Sequence, residues 1–265
     1  MRVLVACEYS GVVRDAFAAK GHQAMSCDLL PTERAGLHYR GPVEDVLEGW
    51  MPVSFTKDCR LDGGSICRKT NSQVDDCQCV GPTQDGIEYI TKNGVLFGRP
   101  KDRPHWDLMI AHPPCTYLCS SGLHWNKRKP ERQQKTEEAL EFVKLLMNAP
   151  IQKIAIENPI GCIGTRIRKA DQIIQPYQFG EDASKSTCLW LKDLPKLKPT
   201  KLIAPRIIVG RYGFTTKRWG NQTDSGQNRL GPSEDRWKIR SATYRGIADA
   251  MADQWNFSIY YLNAK

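Results

Sequence analysis

The chain has 265 residues, of which 40% are hydrophobic, enough for one α/β domain with an insertion. No apolar stretch approaches the roughly 18 residues of a membrane span, and the first residues form a strand pattern rather than a signal peptide, so we expect a cytoplasmic protein with no membrane partner. Its ten cysteines are then expected to be thiols or metal ligands rather than a disulfide framework. A net charge of +9 favours an anionic partner.

The first 28 residues have the pattern of half a nucleotide-binding unit. The expected elements are a strand over 1–7, a helix over 12–20 and a second strand over 22–27. Asp28 ends the second strand, where an acid accepts hydrogen bonds from ribose hydroxyls. Gly11 would let the backbone approach a cofactor, with Tyr9 and Ser10 lining the turn.

Residues 54–103 form a polar, glycine-rich insertion with too few apolar residues to bury much core of its own. It contains four cysteines, Cys59, Cys67, Cys77 and Cys79. Two interpretations stand: four thiolates bind zinc tetrahedrally and replace the missing core, or the cysteines are ordinary thiols on a loosely ordered insertion. In the first case the insertion is also a candidate for target recognition.

Two later apolar runs end abruptly, and a short motif with reactive side chains directly follows each of them. WDLMIA is followed by His112-Pro113-Pro114-Cys115, and IQKIAI by Glu157-Asn158-Pro159. Each run is typical of a buried strand, and the prolines cannot continue a strand ladder. A thiol and a carboxylate are therefore predicted at one edge of a parallel sheet, where open α/β sheets bind ligands.

The remaining elements complete an α/β pattern. A basic cluster, including Lys127 and Arg128, follows the cysteine loop and could contact phosphates beside an extruded base. The pattern then predicts a helix over 131–148, strands over 173–179, 187–191 and 203–209, and a helix over 243–255 that Thr243 could cap.

Residues 201–245 carry much of the excess positive charge. They contain ten Lys or Arg against three Asp or Glu, interleaved with aromatic residues. This combination is typical of a surface that follows a phosphate backbone and stacks on bases, with Arg211, Lys217 and Arg218 as candidate contacts. The alternative is a solvated face whose aromatic rings point to the core.

The Pro-Pro-Cys and Glu-Asn-Pro motifs, in this order after the glycine turn, resemble those of the cytosine-C5 DNA methyltransferases, in their compact phage or bacterial form. The resemblance implies a single Rossmann-like α/β methyltransferase domain over 1–265. Cys115 would add to carbon 6 of cytosine, and Glu157 would bond ring nitrogen 3. Asn158 would fix the position of the acid. The base would have to be flipped out of the duplex.

The same resemblance implies S-adenosylmethionine as cofactor, with Asp45 near the adenine and Pro113 among the cofactor contacts. The chain departs from the family in three respects. Its first loop has Gly11 as the only glycine, the Gln-x-Arg-x-Arg element is not evident, and only about fifty residues separate Leu191 from the final helix, so no long target-recognition domain is present. Lys185, Ser186 and Thr187 fall where the missing element is expected but differ from it chemically.

Methylation of carbon 5 of cytosine in DNA, with duplex DNA favoured, is therefore the expected activity. Two alternatives remain open. The same chemistry could act on single-stranded DNA or a free pyrimidine nucleotide, which the missing recognition domain suggests and the basic C-terminal third argues against. The chain could also be a catalytically silent nucleic-acid-binding protein. The first loop, with Gly11 as its only glycine, leaves room for this alternative, whereas the presence of Cys115 and Glu157 argues against it.

Overall fold

The computed structural model describes residues 1–52, 61–62, 66–67, 87–92, 95–102, 105–210 and 212–257. In chain order the strands are β1 (Arg2–Ala6), β2 (Gln23–Asp28), β3 (His38–Arg40), β4 (Met51–Pro52), β5 (Leu61–Asp62), β6 (Ile66–Cys67), β7 (Ile87–Lys92), β8 (Val95–Pro100), β9 (Leu108–Ala111), β10 (Lys153–Pro159), β11 (Gln172–Ile174), β12 (Thr187–Lys192), β13 (Arg206–Val209) and β14 (Thr215–Arg218). The α-helices are α1 (Val12–Ala18), α2 (Ser120–Leu123), α3 (Pro130–Met147), α4 (Ile163–Arg166), α5 (Arg236–Ser241) and α6 (Arg245–Gln254). Short 3-10 turns cover Val43–Asp45, His124–Lys127 and Pro176–Gln178.

A seven-stranded sheet organises the chain, in the order β11-β12-β10-β9-β1-β2-β3. Within this sheet the five neighbouring strands β3, β2, β1, β9 and β10 pair in parallel. β12 runs antiparallel between β10 and β11. The predicted α/β class with a mainly parallel sheet is confirmed. The chain builds outward from β1 through β2 and β3, then crosses back to place β9 on the other side of β1. In open α/β sheets such a reversal of strand order creates the ligand crevice, at the carboxyl ends of the strands.

Two apolar cores lie on the two faces of this sheet. One contains side chains of α1 and α6, including Phe17 and Met251, and that of Trp255 just after α6, all three completely buried. The other contains the apolar side of α3, including Leu140 and Val143. The strands between them are buried on both sides, which explains why they are almost continuously apolar in sequence.

Most predicted elements occur within a few residues of their expected bounds. The strand expected over 173–179 is wrong beyond Ile174, because Pro176 begins a 3-10 turn. The last helix begins at Arg245 with Tyr244 at its N-cap position, and no side chain caps it, so the predicted cap at Thr243 is wrong.

The end of the insertion belongs to the main core. β7 and β8 pair antiparallel, and β4 pairs with β8, giving a three-stranded sheet. Phe97 on β8 is completely buried, and its ring lies 5.2 Å from that of Tyr39 in an edge-on arrangement. β8 thus packs into the main core rather than into a core of the insertion's own.

No helix in the described part of the chain is both long and apolar enough to cross a membrane.

Candidate active site

The loop after β1 is organised by a carboxylate that the sequence analysis did not single out. Glu8 is buried, and its Oε1 accepts hydrogen bonds from the Val13 amide at 2.7 Å and the Ser10 hydroxyl at 3.2 Å. Its Oε2 accepts the Arg14 amide at 3.2 Å. The free amides at the start of α1 are thus satisfied within the chain, by a negative charge that the helix dipole stabilises.

This arrangement limits what the first loop can bind. In dinucleotide-binding proteins the pyrophosphate occupies the N-terminus of this helix. Here the carboxylate of Glu8 occupies that position and would repel a phosphate. Gly11 has a φ of +70°, and an added Cβ would lie 2.5 Å from the Arg14 guanidinium, so glycine is required there by the backbone and by Arg14. The loop suits a nucleoside with no phosphate at this position.

The C-terminal segment covers the same loop. The Tyr9 hydroxyl donates to the carbonyl oxygen of Lys238 at 3.0 Å and lies 2.8 Å from the Ser241 hydroxyl. The rings of Tyr9 and Trp237 are 6.0 Å apart. Helix α5, in the basic segment, therefore packs on the first loop of the candidate site.

Two further carboxylates lie near the Cys27 thiol, Asp28 at the end of β2 and Asp45 in the 3-10 turn that follows β3. Asp28 is partly exposed, burial raises its pKa, and its Oδ1 accepts the Leu30 amide at 2.9 Å. Asp45 accepts a hydrogen bond from the buried Tyr39 hydroxyl at 2.5 Å. Burial, followed by the charges of Asp28 and Asp45, raises the pKa of the Cys27 thiol to about 12. The structure thus brings the two predicted cofactor acids to one side of the sheet edge.

Cys115 lies on a tight turn after β9, with its thiol partly exposed. The Cys115 carbonyl oxygen accepts the amides of Leu118 and Cys119, both at 3.0 Å. Burial, with a smaller contribution from Cys119, raises the pKa of the Cys115 thiol, whereas the positive charge of Lys185 opposes this shift. Lys185 is thus a cation available to stabilise a thiolate. Its Nζ donates to the Arg240 carbonyl oxygen at 2.8 Å.

His112 and Glu157 form a buried ion pair beside the cysteine. Nδ1 of His112 and Oε2 of Glu157 are 2.7 Å apart, and each side chain is 10% exposed. Burial lowers the pKa of His112, but the hydrogen bond and charge of Glu157 outweigh it and raise that pKa overall. Burial likewise raises the pKa of Glu157, but His112 and Lys185 outweigh it and lower that pKa. Each shift favours the charged form of its side chain.

Asn158 joins the glutamate strand to the cysteine loop. Its Nδ2 donates to the Pro113 carbonyl oxygen at 2.7 Å, and the residue is 1% exposed. Among the described residues, the Oδ1 of Asn158 and the Nε2 of His112 have no hydrogen-bond partner. Buried polar atoms without partners are costly, so these two are candidates for a bound group.

A glycine permits the close approach of the cysteine loop to the segment that follows Glu157. Gly161 pairs with Cys119 in an isolated antiparallel bridge, and the Ser120 amide donates to the Ile160 carbonyl oxygen at 3.0 Å. An added Cβ at Gly161 would lie 1.9 Å from the Leu118 carbonyl oxygen. The cysteine loop is therefore held against the segment that follows Glu157.

The predicted nucleic-acid contacts lie on two separate surfaces. Lys127 and Arg128 are exposed just beyond the cysteine loop, whereas Lys217 and Arg218 lie on β14 of the β13–β14 hairpin. Arg211 lies outside the described residues. Phe214 is 76% exposed, so the alternative of aromatic rings buried in the core is wrong for this residue.

The zinc prediction rests on residues of which little is described. Cys59, Cys77 and Cys79 lie outside the described residues, and Cys67 is described only as part of the backbone of β6. Within the described ranges, no group of three or more His, Cys, Asp or Glu could hold a metal ion. Zinc binding by the insertion stays a prediction.

Glu8, His112 and Lys185 are site residues whose roles the sequence did not predict. Glu8 had a usable signal, since it directly follows a buried strand and precedes a helix start. His112 had a weaker one, its position at the end of β9. Nothing local identifies Lys185 as a neighbour of Cys115.

Comparisons with known proteins are sparse. No protein-family model matches the chain, and no curated protein matches it. Among solved structures, it is similar to a crystal structure of an E. coli protein assigned as a DNA modification methyltransferase encoded within a prophage, with 13% identity and a TM-score of 0.35. The match covers 76% of this chain and 51% of that one, so the chain spans about half the length of this structure. A similarity of this size assigns no activity.

Proposed function

We propose that the chain is a Rossmann-like methyltransferase that transfers a methyl group from S-adenosylmethionine to carbon 5 of cytosine in DNA. The observation that carries the proposal is the placement of Cys115 and the His112–Glu157 pair together at the carboxyl edge of the sheet. It is supported by the charges of Lys185, which lowers the pKa of the Cys115 thiol, and Glu157, which raises it. A partly exposed thiol beside a cation and a buried carboxylate is the combination that covalent addition to a pyrimidine requires.

The first loop supports S-adenosylmethionine over a phosphate-bearing cofactor. Glu8 occupies the helix N-terminus, and Asp28 is partly exposed. Asp28 would accept the ribose hydroxyls, Asp45 would lie near the adenine, and Tyr9, Ser10, Gly11 and Pro113 would line the site. When bound, the cofactor supplies an electrophilic methyl group.

Different residues of the chain would act on different atoms of the cytosine ring. The Sγ thiolate of Cys115 adds to carbon 6, and the electron pair of the carbon 5–carbon 6 double bond becomes available at carbon 5. Nitrogen 3 must be supported by a proton donor, and Glu157 would serve in its protonated form. The His112 imidazolium would supply that proton across the hydrogen bond between its Nδ1 and Oε2 of Glu157, and would itself become neutral. After methylation, loss of the carbon 5 proton expels Cys115 and restores the aromatic ring.

DNA as the substrate is supported by charge. Lys217 and Arg218 lie on one surface, and Lys127 and Arg128 lie just beyond the cysteine loop. Two separate clusters of cations suit a phosphate backbone long enough to reach both. A free nucleotide would need only one such cluster.

The test is incubation with labelled S-adenosylmethionine and duplex DNA, single-stranded DNA or dCMP in parallel, followed by nucleoside analysis. We expect 5-methylcytosine, with the highest yield from duplex DNA. Label only in dCMP would support the free-nucleotide alternative, and no product despite DNA binding would support the silent-binding alternative.

Covalent trapping tests the role of Cys115. A duplex with 5-fluorocytosine at the target position should remain bonded to the enzyme, since fluorine cannot leave as the proton does. Cys115→Ser should abolish trapping and reduce methylation on the order of 10³-fold or more, without changing cofactor affinity. Cys119→Ser, in the same loop, should still trap. Trapping by Cys115→Ser would contradict the mechanism.

A further inference from the structure

A small aromatic and basic cavity lies directly beyond the cysteine loop. We call it the Trp125 pocket. It has a volume of about 320 Å³ and is lined by Tyr117, Trp125, Lys129, Glu131, Arg132 and Lys135. Pockets that hold small ligands range from about 300 to 1,000 Å³, so this one suits a group the size of a single nucleotide.

The pocket is attached to the residue next to the candidate nucleophile. Nη2 of Arg132 donates to the Thr116 carbonyl oxygen at 2.7 Å, and its Nε donates to the Gly122 carbonyl oxygen at 3.3 Å. The buried Thr136 hydroxyl donates to the Tyr117 carbonyl oxygen at 3.0 Å. Helix α3 therefore holds Tyr117, the wall of the pocket two residues from Cys115, in a fixed position.

Cations surround both aromatic rings. The Arg132 guanidinium lies 4.8 Å from the centre of the Tyr117 ring, and Nζ of Lys135 lies 5.6 Å from it. Nζ of Lys129 lies 6.0 Å from the centre of the Trp125 ring, and Trp125 is 43% exposed. Within the described residues, none of these three cations forms an ion pair with a carboxylate, although Glu131 lines the same pocket.

We propose that the Trp125 pocket binds the nucleotide that flanks the target cytosine on the DNA strand, an inference that rests on the proposed DNA substrate. The exposed ring of Trp125 stacks on the flanking base, and Lys129 and Lys135 contact its phosphates. Base–aromatic stacking tolerates any sequence, because every base has a π-face. Unneutralised cations beside an exposed tryptophan match a nucleotide, which combines an aromatic ring with a negative charge. The position of the pocket, whose lining begins at Tyr117, two residues from Cys115, favours a neighbouring nucleotide of the same strand.

The test is a binding cycle with abasic DNA. Duplexes carry one abasic nucleotide at successive positions on each side of the target cytosine, and their dissociation constants are measured for wild type, Trp125→Ala and Trp125→Phe. Stacking is worth about 1–3 kcal/mol by alanine substitution, so Trp125→Ala should weaken binding of intact duplex roughly 5- to 150-fold. Trp125→Phe should retain most of the affinity. At one flanking position the abasic nucleotide should weaken binding of wild type but not of Trp125→Ala.

Salt dependence separates stacking from phosphate contact. Trp125→Ala should leave the slope of log affinity against log salt unchanged, whereas Lys129→Gln with Lys135→Gln should reduce it by about 0.9 per lost phosphate contact. Ile173→Ala, an exposed apolar side chain on edge strand β11, serves as the control and should bind like wild type.

The outcomes distinguish this inference from the proposed function. Wild type that traps 5-fluorocytosine duplex, with Trp125→Ala matching it on every duplex, overturns the pocket assignment and leaves the methyltransferase proposal intact. Wild type that traps nothing, but whose DNA binding depends on Trp125 at one position, supports the pocket and overturns the proposed activity.

Discussion

Nδ1 of His112 lies 2.7 Å from Oε2 of Glu157, and this hydrogen bond joins the ends of two neighbouring parallel strands, β9 and β10. Both side chains are nine-tenths buried. The carboxylate of Glu157, which we propose contacts the cytosine, is therefore one partner of a buried ion pair in the free protein. Removing one partner of such a pair leaves an uncompensated buried charge.

This pair predicts how stability depends on pH. The pKa of His112 is raised above its ordinary 6.5. Its contribution to the free energy of unfolding is therefore complete below pH 6.5 and is lost as the pH rises through the raised value. The pKa of Glu157 is lowered below its ordinary 4.5, so its contribution is complete above pH 4.5 and is lost as the pH falls through the lowered value. The pair should stabilise the fold fully between about pH 4.5 and 6.5.

Urea unfolding of wild type and His112→Gln over a pH series measures this contribution. The variant should be less stable by up to about 3–5 kcal/mol near pH 5.5, and the difference should shrink as the pH rises towards 9. His124→Gln, at an exposed position, is the matched control and should leave the pH dependence unchanged. A difference between wild type and His112→Gln that is constant with pH would contradict the ion pair.

Lys185 predicts the reactivity of the candidate nucleophile. Because its charge opposes the upward shift of the Cys115 pKa, Lys185→Met should leave less thiolate at neutral pH. Alkylation of Cys115 by iodoacetamide at pH 8, followed by mass spectrometry of its peptide, should be severalfold slower in the variant. Lys192→Met removes a lysine whose Nζ likewise bonds a backbone carbonyl, that of Ile151 at 2.9 Å, and should react like wild type. Equal slowing in both variants would contradict a specific role for Lys185.

Gly161 and Gly164 make a matched pair for the cysteine loop. A Cβ at Gly161 would lie 1.9 Å from the backbone oxygen of Leu118, so Gly161→Ala should displace the loop, destabilise the fold by about 1–3 kcal/mol and sharply reduce methylation. A Cβ at Gly164, on α4, meets nothing within 4 Å, so Gly164→Ala should leave activity unchanged. Thermal unfolding and methylation assays on both variants test this, and normal activity of Gly161→Ala would show that the loop does not need this contact.

Asp28 predicts the energetics of cofactor binding. Asp28→Ala removes the proposed acceptor for the ribose hydroxyls and should weaken S-adenosylmethionine binding by about 1–3 kcal/mol in calorimetry. Asp253→Ala, at a half-exposed position paired with Lys20, should bind like wild type. An unchanged dissociation constant in Asp28→Ala would remove the ribose assignment.

The main strands and the common edge of the two motifs could be predicted from the sequence. The apolar runs before His112 and Glu157 are long enough for buried strands, and the prolines that follow end them. Parallel neighbours bring such ends together, so the positions of Cys115 and Glu157 follow from local patterns. β8 was missed, because the burial of Phe97 depends on its packing against Tyr39 rather than on any periodicity of the insertion.

The partners of these side chains were decided only by the tertiary structure. His112 and Glu157 are 45 residues apart in the chain, and Tyr9 is 229 residues from the carbonyl group of Lys238 that it contacts. Such contacts depend on strand order and on the return of the C-terminal segment across the sheet edge. Local patterns carry information about which residues form a strand, a turn or a helix, because those depend on neighbours in sequence. The partner of Glu157 and the cation near Cys115 arise from packing between distant segments, which only the assembled fold determines.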